Sequence, residues 1–203
     1  GAIAFDDAAA VLDALSEATH ILSSVPPLRE GGDPVLDQYG AAIAAASAQW
    51  VGYLSSTGVY GDTQGAWVDE SASVGSGRRS ARAAADLDWQ QLRGDVRIFR
   101  LPGIYGPGRS ALERVREGKA HRIDLPDQIF SRVHVDDIVS GVLASFAGPP
   151  GVYNLADDHP CSQNAVIEFA SLLLGIAAPP MQTLAQAQLS PLAAAFYAEN
   201  RRI

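Results

Sequence analysis

The residues whose types could do chemistry begin at Ser55-Ser56-Thr57-Gly58-Val59-Tyr60-Gly61-Asp62, directly after the apolar run ending Tyr53-Leu54. Hydroxyls placed where a buried strand gives way to glycines can donate to and accept from a substrate carbonyl or alcohol. Gly58 and Gly61 allow close approach or unusual backbone angles. An ordinary strand end followed by a polar turn has the same composition, so the reading depends on other stretches. Gly103-Ile104-Tyr105-Gly106-Pro107-Gly108 follows a strand and precedes a helix. Its spacing is GxxGxG, and Pro107 removes a backbone donor where a phosphate cradle needs one, so it reads as a substrate-side loop. Arg132-Val133-His134-Val135-Asp136-Asp137 sets a histidine and two carboxylates at a strand-to-helix junction. Without converging ligands elsewhere this is read as a helix cap by Asp136 or Asp137 beside a hydrogen-bonded His134, not as a metal site. Asp69-Glu70 reads as a solvated turn.

The elements that must position these groups follow from hydrophobic periodicity. A helix over 8–17 leads to a buried strand over 19–25, ended by Pro26-Pro27. Asp33 caps a helix that starts at Pro34 and runs to about 48, and the next strand is 51–54. After a loop over 63–74, an alanine-rich helix spans 79–92 and a strand 95–101. Strand, helix, strand, helix, strand predicts a parallel α/β sheet with right-handed crossovers. Beyond Pro102 come a helix over 110–117, short strands at 121–123 and 132–135, and a helix over 136–147. A strand at 151–155 and helices over 164–174 and 190–200 complete the pattern.

At 203 residues, 47% apolar and 19% charged, the chain can bury one sizeable core and reads as globular. A net charge of -8 argues against capture of nucleic acid or an anionic membrane, while leaving room for a local basic pocket. The single Cys161 offers neither a disulfide nor a thiolate cluster. With no basic leader before an apolar core and no membrane-length apolar run, the expected location is the cytoplasm. Oligomeric state is not legible.

Four stretches, taken in order, resemble the extended short-chain dehydrogenase/reductase superfamily, and more closely its NAD-dependent epimerase/dehydratase branch. They are residues 55–62, Arg100-Leu101-Pro102-Gly103-Ile104-Tyr105-Gly106-Pro107-Gly108-Arg109, Val133-His134-Val135-Asp136-Asp137-Ile138 and Tyr153-Asn154-Leu155. The resemblance implies a Rossmann-like, doubly wound parallel sheet binding NAD or NADP, with a small C-terminal substrate portion. It divides the chain into 1–109 and 110–203, the second part returning segments to the sheet. Ser24, Val25, Pro26 and Ser55 would flank the cofactor, Ser56 would be the active-site hydroxyl, and Leu101 and Pro102 would line the nicotinamide. The family's first βαβ unit, with its glycine-rich loop, is expected to be missing from this chain. The YxxxK pair is absent too. Arg82 occupies the lysine position and Arg78 the tyrosine position, while Lys119, the only lysine, follows Val115 by four. Arg82 could keep the ribose contact. An atypical member using Ser56, Tyr60 or Tyr105 on a small-molecule substrate is one expectation, and a cofactor-sensing protein without turnover is another. Gly103 stands where sugar-nucleotide epimerases commonly carry asparagine, which argues against a nucleotide-sugar substrate.

Overall fold

Each apolar run bounded by polar turns becomes one strand of a parallel sheet, and the intervening segments become helices packed on its faces. The computed structural model describes residues 1–75, 80–189, 194 and 197–203. Arg78 and most of the helix expected over 190–200 lie outside the described residues. Helix α1 (Ala8–Glu17) begins at Asp7, whose carboxylate accepts from the Ala10 amide. Strand β1 is His20–Ser23, shorter than its apolar run. Helix α2 (Pro34–Ala45) is capped by Asp33, which accepts from the amides of Val35 and Leu36 at 2.9 and 3.1 Å. Strand β2 (Trp50–Ser56), helix α3 (Ser80–Leu92) and strand β3 (Val96–Leu101) follow.

After β3 come β4 (Gly103–Tyr105), α4 (Ala111–Arg116), β5 (Arg122–Ile123) and β6 (Arg132–His134). They lead to α5 (Val135–Ala144), β7 (Gly151–Asn154), α6 (Gln163–Leu174) and β8 (Met181–Gln182). The main sheet has the order β1-β2-β3-β7, all parallel. This is the parallel α/β sheet that the alternation predicts and the Rossmann-like arrangement that the resemblance implies.

Side chains alternate across the sheet, so the two faces bury different sets. On one, Val51, Tyr53 and Ile98 pack with Tyr39 and Ile43 of α2 and Trp89 of α3. The Tyr53 and Trp89 rings stack at 5.0 Å, and the Trp89 indole donates to Asp33 at 2.9 Å. On the other, Trp50, Phe99 and Leu101 pack with Val133, Ile138 and Val142. Gly52 makes room there, since a Cβ would fall 2.2 Å from Cη2 of Trp50.

Four local expectations are corrected. Strand β2 does not end at Leu54 but continues through Ser56, because β3 supplies pairing partners as far as Leu101. Residues 103–105, expected in a loop, form β4, which pairs in parallel with β6. Helix α5 is capped by His134 and not by a carboxylate. Its Nδ1 accepts from the Asp136 amide at 3.2 Å, while Asp136 and Asp137 occupy the first turn, where negative charge is favoured. Residues 199–203 are not helical. They run as a strap, with isolated bridges from Arg202 to Trp67 and from Arg201 to Phe130. Among the described residues, no helix is long and apolar enough to cross a membrane.

Candidate functional site

Parallel strands present their C-terminal ends at one edge, and in open α/β sheets that edge is where ligands bind. Ser56 at the end of β2 lies opposite Leu101 at the end of β3. Both line a cavity of about 210 Å³ together with Pro102, Thr57, Arg109 and Arg201. The Ser56 side chain accepts from the Gly58 amide at 3.1 Å, capping a single 3-10 turn over Thr57–Tyr60. One lone pair is thereby used and the hydroxyl proton remains available to a ligand. The fold therefore brings together Ser56, Leu101 and Pro102.

Ser24, Val25 and Pro26 continue from β1 at the same edge of the sheet and are exposed. Just before them, Ser23 Oγ is buried without a hydrogen-bond partner. Arg82 lies half-buried on α3, close enough to Tyr53 to act on it electrostatically. Burial pushes the Tyr53 phenol upward, Asp33 adds to the rise, and Arg82 works against it.

Ser55, Tyr60 and Tyr105 do not line the cavity. Ser55 faces α3 and donates to Asp86 at 2.5 Å. Asp86 is 0% exposed, and its carboxylate also accepts two bonds from Arg100, at 3.1 and 2.7 Å, and one from Gln90 at 2.7 Å. Arg100 donates in addition to the Tyr60 phenol at 2.9 Å, and that phenol donates to Asn154 at 2.9 Å. Burial opposes the charge on Arg100, but its bonds to Asp86 and Tyr60 outweigh that and leave its pKa raised. Tyr60 thus ties strand ends together beneath the cavity. The Tyr105 ring packs against His134. Desolvation, then the charges of Asp157 and Asp137, raise its pKa, which opposes passage through phenolate.

Sequence reading missed the Asp86-Arg100 pair and the two cavity arginines. A signal existed for the first, since Arg97 and Arg100 interrupt an otherwise apolar strand and a buried guanidinium requires a partner. Arg201 carried none, because the strap reaches the cavity across 140 residues to donate to the Gly61 carbonyl. The Asp69-Glu70 pair divides its roles. Asp69 accepts from the Ser71 hydroxyl and amide, which lower its pKa, whereas Glu70 accepts from the Asn154 amide at 2.7 Å. Among the described residues, no group of three His, Cys, Asp or Glu could hold a metal ion.

A parallel sheet, a hydroxyl-bearing strand end and a cavity at the C-terminal edge define a Rossmann-like α/β protein. Among solved structures, the chain is 46% identical to a conserved protein of unknown function from Silicibacter pomeroyi, with a TM-score of 0.85 over 93% of this chain and 69% of that one. A dTDP-glucose 4,6-dehydratase from Streptomyces venezuelae, solved with NAD bound, matches at 17% identity and TM-score 0.74, covering 97% of this chain and 67% of that one. A UDP-glucose 4-epimerase from Thermus thermophilus, in complex with NAD, matches at 19% and 0.63, covering 93% and 75%. The likeness to these two enzymes, at 17% and 19% identity, shows that they share a Rossmann-like fold with this chain. No protein-family model matches the sequence, and no curated protein does.

Proposed function

We propose that this chain provides the strand-end crevice of an NAD(P)-binding, epimerase/dehydratase-like oxidoreductase that acts on a small molecule without the tyrosine-lysine pair of its superfamily. The observation carrying this reading is that Ser56, Leu101 and Pro102 line a single cavity at the C-terminal edge of the parallel sheet. The residues present fit the nicotinamide end of a dinucleotide. Leu101 and Pro102 offer an apolar wall, Ser24, Val25 and Pro26 approach from the neighbouring strand end, and the orphaned Ser23 hydroxyl beside them lacks a partner. Arg82 would donate to the ribose hydroxyls. NAD(P), when bound, supplies reversible hydride transfer. Ser56, with its proton free, would hydrogen-bond the reacting oxygen of the substrate and fix its orientation. A cytoplasmic location suits this chemistry and the single free Cys161.

A second reading, a metabolite or NAD(P) sensor without turnover, is favoured by one observation: among the described residues, no tyrosine lines the cavity with Ser56. Calorimetry of the whole protein with NAD(H) and NADP(H), followed by turnover assays on small alcohols and ketones, separates the two. Binding with turnover that falls about a hundredfold in Ser56→Ala supports the enzyme. Binding without turnover supports the sensor, and binding of neither dinucleotide overturns both.

A further inference from the structure

Charge is distributed unevenly in this molecule. The chain carries a net -8, yet among the described residues the cavity at the strand ends is lined by two guanidinium groups, Arg109 and Arg201, against one carboxylate, Glu199. Glu199 engages Arg201 only through Nη1, at 2.7 Å, and the same atom donates to the Gly61 carbonyl at 2.7 Å. Nε and Nη2 of Arg201 have no hydrogen-bond partner among the described residues. Arg109 has neither a side-chain hydrogen bond nor an ion pair among them.

Arg109 is exposed on a turn at the cavity. The backbone closes a tight turn, with the Arg109 amide donating to the Gly106 carbonyl at 3.0 Å. Glu113, the acidic residue nearest in sequence, is committed elsewhere. It accepts from the amides of Gly108 and Ser110 at 3.1 and 2.9 Å and completes the capping box of α4. Opposite the arginines stand two hydroxyls with capacity to spare. Ser56 keeps its proton, and Thr57 Oγ1 has no partner among the described residues. Ile104, Ile129 and Phe130 close the remaining wall.

A cavity in which two guanidinium groups face one carboxylate, so that one positive charge is in excess, favours an anion, because charge-assisted bonds from arginine are strongest to carboxylate and phosphate. The volume of about 210 Å³ falls below the few hundred cubic ångströms that enclose a drug-sized ligand, which suits a small compound. We propose, resting on the strand-end crevice as the substrate site, that the cavity takes a small hydroxy compound bearing a single carboxylate or phosphate. Arg109 and Arg201 hold the anion, and Ser56 donates to the hydroxyl or carbonyl oxygen at the other end.

Calorimetry of the whole protein with glycerol, glycerate and glycerol phosphate, each with and without NAD, tests this. At least one anion binds about tenfold or more tighter than neutral glycerol, and the tighter arm identifies carboxylate or phosphate. Arg109→Gln removes that preference while leaving the melting temperature unchanged, since this side chain supports nothing else, and Arg109→Lys restores part of it. Equal binding of all three compounds, no binding by either anion, or an undiminished preference in Arg109→Gln overturns the proposal. Dinucleotide binding without anion preference removes this proposal and leaves the NAD(P) reading intact. Anion preference without dinucleotide binding does the reverse.

Discussion

Asp86 and Arg100 show how a buried charge is tolerated. Arg100 is 2% exposed, and two of its nitrogens meet the Asp86 carboxylate while a third meets the Tyr60 phenol. Desolvation of both ions is costly, and complete hydrogen bonding offsets it. Asp86→Ala therefore destabilises by roughly 3 to 5 kcal/mol, because an unpaired guanidinium remains in the core. Asp86→Leu combined with Arg100→Met costs less than the sum of the single changes, which urea unfolding of all three variants checks. The two residues lie 14 apart on different elements. Their identity as a pair was not legible in sequence, although a strand reading Val-Arg-Ile-Phe-Arg-Leu announced that something had to meet its arginines. Ser56 was easier to find, because its chemistry and its position both follow from the run that precedes it.

At the scale of elements, what could be read from sequence was what is encoded locally. Strands β1, β2 and β3 are apolar runs with polar ends, and Asp33-Pro34 is a helix start in any context. Strand β4 is different. Gly103-Ile104-Tyr105 pairs only because β6, about 30 residues later, lies alongside. The cap of α5 is subtler still, since a histidine ring nitrogen takes the part usually played by a carboxylate or hydroxyl at that position and accepts from the amide two residues on. Within β2, Gly52 belongs to a packing unit with Trp50, whose indole covers it and donates to Ser145 at 3.1 Å. Gly52→Ala must displace that indole, and denaturant unfolding should show a loss of about 1 to 3 kcal/mol. Gly103→Ala, where a Cβ meets the Ser131 carbonyl oxygen at an ordinary 3.5 Å, serves as the tolerated control.

Across the whole molecule, residues 199–203 connect what the sheet alone would leave apart. Asn200 accepts through its carbonyl from the amides of Thr63 and Gly65, and its side chain bonds Asp127 and Ile129. Asp62 receives the Asn200 amide at 2.9 Å, and this bond, followed by that of Gln64, lowers its pKa. A carboxylate whose folded pKa is depressed contributes stability above its ordinary value, and that contribution disappears as pH falls through the lowered one. The protection factor of the Asn200 amide, which divides out the intrinsic pH dependence of exchange, should therefore be level from neutrality to about pH 4 and fall below it. Asp62→Asn should show faster exchange at neutrality and a flatter acid limb.

The strap also imposes an order on biosynthesis. Loop 61–68 leaves the ribosome well before its partners, which lie nearly 140 residues downstream. Until residue 202 has been made and has cleared the exit tunnel, β2 and β3 can pair and Asp86 can find Arg100, but the wall containing Arg201 does not exist. A nascent chain arrested short of that point could pair β2 with β3 while its cavity lacked the wall that Glu199, Arg201 and Ile203 supply.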